Sequence, residues 1–213
     1  MISVLLVDDH TVVRTGFRLL LESTPDVRVI AEADSGEAAC RRFDETTPDV
    51  VVLDLSMPGI GGLETLRRLR TRNQSAKMLA LSAHDDVMHA RRALRQGALG
   101  FLSKRTAPET LLEAVRTVAA GHRYIDPRLA QEIALADVSG TVSPLELLSE
   151  REFEVFMRLA NGSAVQRIAT ELNLSASTVG THLYNIKQKL QVSNQAELTL
   201  VALRAGLIEP GGG

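Results

Sequence analysis

Short apolar, β-branched runs alternate with amphipathic stretches over the first 120 or so residues. The runs are VLLV (4–7), VRVIAEA (27–33), VVVLDL (50–55), MLALSA (78–83) and GFL (100–102). Apolar positions at helical spacing fill the intervals, at about 11–22, 36–46, 62–73, 86–97 and 107–120. The third run is apolar without alternation, as expected of a strand covered on both faces. Strands and helices that alternate through short loops predict a five-stranded parallel sheet, doubly wound by helices, over residues 1–121. In such a sheet ligands meet the carboxyl ends of the strands.

The pattern then changes. A short helix is expected after Pro127, followed by DVSGTVSPLE, whose Gly140 and Pro144 mark a linker; the segment 122–146 is assigned to it. From Leu147 the strand pattern stops. LLSEREFEVFMRLANG carries Ser149 as N-cap and Glu152 three positions on, a capping box, and ends at Gly162. AVQRIATEL reads as a second helix, NLS as a tight turn, and SASTVGTHLYNIKQKLQ as a third helix capped by Ser175. Asn194 caps a fourth, QAELTLVALRAG, closed by Gly206. Residues 147–213 therefore read as an all-α domain of four short helices.

A chain of 213 residues suits two such domains. With aromatics at 3% and no Trp, their cores must be aliphatic. No apolar run nears the roughly 20 residues that span a bilayer, and Met1 leads into ISVLLV without a basic leader. No membrane partner is expected, and the single Cys40, unable to form an internal disulfide, suits a reducing cytoplasm. The formal net charge is only −2, so any affinity for nucleic acid has to come from local features.

Candidate chemistry gathers at the expected strand ends. Asp8 and Asp9 follow the first run, Asp54 ends the third, and Ser82 and Lys104 close the fourth and fifth. Three carboxylates brought together repel unless a cation sits among them, and hard oxygen donors with water suit Mg²⁺. One carboxylate can then attack a phosphoryl group. The hydroxyl of Ser82 and the ammonium of Lys104 would neutralise charge on its equatorial oxygens. Taken singly, an Asp pair after a strand is an ordinary helix cap and a lone Lys a solvated charge. The information lies in all five residues at the right ends in the right order.

VLLVDDH, VVLDLSMPG, LALSAHD and GFLSK resemble the signature segments of two-component response-regulator receivers, whose fold is flavodoxin-like. That resemblance implies Asp54 as the phosphorylated residue. It implies Mg²⁺ held by Asp8, Asp9, Asp54 and the backbone carbonyl of Ser56, with Phe101 as a switch aromatic. Arg105 stands where many receivers carry Pro. A sensor histidine kinase or phosphotransfer domain is the implied phosphodonor.

The second half contains IATELNLSASTVGTHLYNIKQKL, of helix-turn-helix form. Ala169 is small where helices cross, and Asn173 can turn through the left-handed region. Over about residues 147–208, LSEREFEVF, IATELNLSASTV, NIKQKL and AGLI resemble the LuxR-type helix-turn-helix. The two halves together resemble the NarL/FixJ subfamily, and RTGFRLLLE, GHRYIDPRLAQEI, LLSERE and SNQAELTLVALRAGLI look closest to the GacA/UvrY-like regulators. The function implied is transcription control by sequence-specific binding to promoter DNA, with phosphorylation promoting a homodimer and RNA polymerase a further partner. From Leu145 onward two Lys and four Arg face seven Glu, yet between Ala164 and Leu190 Arg167, Lys187 and Lys189 face only Glu171. Ser175, Ser177, Thr178, Arg167, Lys187 and Lys189 are the candidate phosphate contacts, and Thr181 and Tyr184 the candidate base readers. Gly180 stands where relatives carry Lys, removing one basic contact. Ala196, Leu200 and Leu203 form a stripe on the last helix suited to a two-fold contact. Two other functions compete with this one. A phosphohydrolase would want an acid two residues after its nucleophile, where Ser56 stands; a receiver acting only as a scaffold would not need the full acidic set.

Overall fold

The computed structural model describes residues 1–82, 87–105, 108–138, 144–172, 174–205 and 207–208. They divide into two compact units, Met1–Ser139 and Gly140–Gly213.

In the first unit the strands are β1 (Ile2–Val7), β2 (Val27–Ala33), β3 (Val50–Asp54), β4 (Met78–Ser82), β5 (Gly100–Ser103) and β6 (Tyr124–Ile125). The helices are α1 (Thr11–Leu21), α2 (Gly36–Thr46), α3 (Gly62–Arg72), α4 (Val87–Arg95), α5 (Pro108–Ala119) and α6 (Pro127–Val138). All pairings are parallel, in the order β2-β1-β3-β4-β5-β6. Because successive side chains point to opposite faces, β1 feeds two cores. Leu5 and Val7 join α2, α3 and α4 on one side; Val4 and Leu6 join α1 and α5 on the other. Every residue of β3 is buried, which is why that run is apolar throughout.

The sheet has six strands where the sequence predicts five. The extra strand lies inside the segment assigned to the linker. After α5 the chain turns through Gly121 (φ +84°) and runs extended, pairing Tyr124 with Gly100 and Ile125 with Phe101. Two residues carry no readable periodicity, so the pattern could not announce this strand. The helix that follows is twelve residues long, and its Leu129, only 7% exposed, packs into the core cluster that contains Phe101. Asp126 caps it, accepting from the amides of Arg128 (2.9 Å) and Leu129 (3.3 Å).

The second unit opens with a single 3₁₀ turn, Pro144–Leu147, and continues with α7 (Glu150–Ala160), α8 (Val165–Glu171), α9 (Ala176–Leu190) and α10 (Gln195–Arg204). Its core is Phe153, Phe156, Ile168, Val179, Ile186 and Leu198 with their aliphatic neighbours. The caps form as expected: Ser149 and Glu152 make the capping box, Ser175 accepts from the Thr178 amide and Asn194 from the Glu197 amide. Gly162 leaves α7 at φ +82°. The expected turn at Asn173 and stop at Gly206 lie outside the described residues.

Candidate functional site

Neighbouring strands run to opposite sides of β1, with β2 on one and β3 on the other, so the carboxyl ends of β1 and β3 open on one crevice. Asp8 leaves β1 there, Asp54 ends β3 and Ser82 ends β4; all three are fully buried. Lys104, just past β5, places Nζ 2.7 Å from Asp8 Oδ2 and 2.8 Å from Asp54 Oδ2. Its amide donates to the Ser82 carbonyl at 2.7 Å. The amide of Ser56, two residues past β3, donates to Asp54 Oδ1 at 3.0 Å. The five residues singled out by position in the chain are thus brought together. The Lys104–Arg105 peptide is trans, like the other described peptides.

Burial pushes the Asp54 carboxyl above its ordinary range, against the lowering pull of Lys104. For Lys104 burial works downward, but Asp54 and Asp8 outweigh it and hold the ammonium above its ordinary value. Asp54 Oδ2 accepts no aligned hydrogen bond despite the 2.8 Å approach of Lys104. That contact is an ion pair, since charge attraction at such a distance does not need a hydrogen-bond angle. Asp9 Oδ1 is likewise buried without a hydrogen bond, although His10 Nδ1 lies 3.0 Å away.

One ammonium among three carboxylates leaves negative charge to be balanced. Ligand atoms of Asp8, Asp9, His10 and Asp54 all lie within 4.8 Å of one another. Oxygen donors of this kind, two of them lacking hydrogen bonds, fit a hard divalent cation of the Mg²⁺ type.

Three features of this crevice were not legible in the sequence. Gly62 opens α3 so close to β3 that a Cβ there would overlap the Asp54 carbonyl oxygen and Leu55 Cα. Arg14 reaches back from α1 to the Asp8 carbonyl. Phe101, on β5, is fully buried in the core cluster that Leu129 of α6 joins; with Leu129, Arg105 and Arg128 it borders a cleft of about 550 Å³. Gly62 left a hint, as part of the glycine-rich MPGIGG that follows Asp54, and Phe101 was marked as a switch aromatic by resemblance, but α6 was not marked as its neighbour.

In the second unit α8 and α9 form the two arms of the helix-turn-helix. Ser177, Thr178, Gly180, Thr181 and Tyr184 are exposed along α9, Tyr184 at 63%, as is the cap Ser175. A Cβ at Gly180 would meet nothing within 4 Å. The cations are less available than their count suggests. Arg167 pairs with Glu171 at 2.8 Å, and Lys189 pairs with the buried Glu152 at 2.6 Å. Lys187 is half-buried and makes no ion pair among the described residues.

An acid-lined doubly wound domain joined to a helix-turn-helix unit marks a signal-gated DNA-binding protein. Comparison with known proteins makes the assignment specific. Residues 4–116 match the response regulator receiver domain, and residues 146–202 match the bacterial regulatory proteins of the luxR family. The chain is 40% identical to the response regulator GacA of Pseudomonas viridiflava over 98% of its own length and 99% of the relative's. It is 44% identical to the transcriptional activator protein ExaE of Pseudomonas putida, covering 96% and 97%. Among solved structures, RcsB of Salmonella enterica serovar Typhimurium, bound to the promoter rprA in the presence of the phosphomimetic BeF₃⁻, is 25% identical with a TM-score of 0.63, covering 94% and 97%. The chain belongs to the two-component response regulators that carry a LuxR-type DNA-binding domain. No helix among the described residues is long and apolar enough to cross a membrane.

Proposed function

We propose that Asp54 accepts a phosphoryl group from the phosphohistidine of a sensor histidine kinase or phosphotransfer domain, and that this controls dimerisation and promoter binding in the cytoplasm. The observation that carries the reading is Lys104 Nζ bridging Asp8 and Asp54 in a buried crevice at the strand ends. An Asp54 carboxylate oxygen attacks phosphorus, the phosphorus–nitrogen bond breaks, and the leaving imidazole nitrogen keeps the bonding pair and takes up a proton. Asp8, Asp9, Asp54 and the Ser56 carbonyl would hold Mg²⁺, which when bound supplies positive charge against the phosphoryl oxygens. Lys104 and the Ser82 hydroxyl complete that neutralisation.

The phosphorylated site carries about two added negative charges, which draws Lys104 and Ser82 toward the phosphoryl oxygens. Phe101, three residues before Lys104 and in the core cluster that Leu129 of α6 joins, is the aromatic that responds. In the second unit the stripe on α10, with Ala196 exposed and Leu200 at 50%, is the two-fold contact. It sets two copies of α9 into successive major grooves, where Arg167, Ser175, Ser177, Thr178, Lys187 and Lys189 meet phosphates and Thr181 and Tyr184 meet bases. Functionally we divide the chain into a receiver at 1–121, a connecting segment at 122–146 whose β6 and α6 pack with the first unit, and the DNA-binding domain at 147–213; RNA polymerase is the onward partner.

The test uses the full chain, a small phosphodonor and Mg²⁺. We expect acid-labile phosphate on the wild type and none on Asp54→Asn, with a shift to dimer and tighter promoter binding only when labelled. Stable labelling of the Asn variant, or labelled protein with unchanged DNA affinity, sinks the reading.

A further inference from the structure

We propose that Arg14 is a positioning residue for the acidic crevice, setting the peptide between Asp8 and Asp9. Where the chain leaves β1, Asp8 can still give its amide to the Ala33 carbonyl of β2 (3.1 Å), but its own carbonyl has run past the sheet's pairing. Arg14 supplies the missing donor. From the first turn of α1 its Nη1 donates to the Asp8 carbonyl at 2.6 Å, while Nε donates to Glu32 Oε2 on β2 at 2.8 Å. Glu32 is held from its other oxygen by Arg18 at 2.7 Å. The Arg14 side chain is only 15% exposed, so this is not a solvated surface pair.

One guanidinium thus clamps the loop 8–10 to β2 through a rigid fork. The clamped carbonyl shares its peptide plane with the Asp9 amide, so its orientation sets where the Asp9 carboxylate points. Among the described residues Arg14 bonds to Glu32 and to the Asp8 carbonyl and to no carboxylate of the crevice, so it acts through the backbone. Groups that orient metal ligands from behind are typically worth 10–100-fold in metal affinity. Because the link from Arg14 to the crevice runs through a backbone oxygen, the lower end is expected.

This inference rests on the proposal that Asp8, Asp9 and Asp54 hold a divalent cation, and the experiment separates the two. Titrate the full chain with Mg²⁺ by calorimetry and with Mn²⁺ by electron paramagnetic resonance, for wild type, Arg14→Gln, Arg14→Lys and Arg18→Ala. We expect Arg14→Gln to weaken both affinities about tenfold, Arg14→Lys to recover part of the loss, and Arg18→Ala to match wild type. Initial phosphorylation rates from a small phosphodonor should fall for Arg14→Gln at limiting Mg²⁺ and return to wild type at saturation. If Arg14→Gln and Arg14→Lys both keep wild-type affinity, or Arg18→Ala loses as much as they do, Arg14 does not position the crevice. A wild-type chain that binds neither metal overturns the cation site itself, and this inference with it. Melting temperatures of the same variants identify a merely structural effect, which would lower stability without the recovery at saturating Mg²⁺.

Discussion

Truncating Leu129 to Ala should release α6 from the first unit without unfolding the rest of it. Leu129 is the side chain by which α6 enters the core, 7% exposed among Phe101, Ala90 and Ala93, with Ile133 packed partly beside it. Leu→Ala changes in protein cores cost about 2–5 kcal/mol, less where the surroundings can collapse. This site borders a cleft of about 550 Å³ whose polar walls can rearrange, so the lower end, about 2 kcal/mol, is expected. At 1.4 kcal/mol per factor of ten, the opening equilibrium of α6 rises about 30-fold. Hydrogen exchange read by mass spectrometry on the full chain measures this directly. Amides around residues 130–135 should lose about 30-fold in protection, while those of β1, β3 and β4 keep theirs. Leu135→Ala is the control: same helix, same substitution, but 64% exposed, so its effect should stay within about 0.5 kcal/mol. Equal loss of protection in both variants, or in α6 and β3 alike, would refute Leu129 as the anchor.

Two other expectations concern the second unit. Lys189 and the backbone bonds of Ser149 hold the Glu152 carboxyl below its ordinary range against the opposing effect of burial. A carboxyl whose folded pKa is depressed contributes stability that is complete above its unfolded value of 4.5 and is lost as pH falls through the folded value. Glu152→Gln, which can still cap Ser149, should therefore cost about 1 kcal/mol at neutral pH and nothing in strong acid; a cost independent of pH, in chemical denaturation followed from pH 7 downward, would rule out the charge as its source. In the recognition helix, Gly180→Lys adds a side chain where a Cβ meets open space. It should tighten promoter binding at low salt and steepen the slope of log affinity against log salt by about 0.9; weaker binding at every salt concentration would mean that close backbone approach to DNA needs the glycine.

Most of the first unit was legible because its signals are local. A β-branched run between two amphipathic stretches needs no knowledge of the rest of the chain. The strand ends then placed Asp8, Asp54, Ser82 and Lys104 in one crevice by topology alone. The caps Ser149, Ser175 and Asn194 were readable for the same reason, since each acts within three residues. What stayed hidden depends on distance along the chain. Lys189 meets Glu152 across 37 positions, and nothing in either helix's periodicity marks the partner. Arg14 looks like any polar residue on α1 until β2 brings Glu32 beside it. The two residues of β6 are too few to show a period, and among its described residues α6 shows Leu129 and Ile133 as core positions, which made 122–146 look like spacer. The Arg167–Glu171 pair, by contrast, sits at helical spacing and could have been anticipated.

The position of that segment changes how Phe101 has to be understood. A ring at the end of β5 with nothing beyond it could swing between solvent and interior at little cost. Here β6 pairs with β5 at Phe101 itself, opposite Ala80 on β4. Leu129 closes the same cluster. The ring is already inside, so a change of its rotamer cannot be a simple burial of exposed surface. In an interior packed to crystal-like density, a ring moves only if its neighbours move with it. Those neighbours are β4, which carries Ser82, and α6, which begins the path to the second unit. A signal at Asp54 can bias this arrangement only by the difference in its contacts between two states. On the proposed reading Lys104 and Ser82 would supply that difference, and Leu129, in the same core cluster as Phe101, would register it.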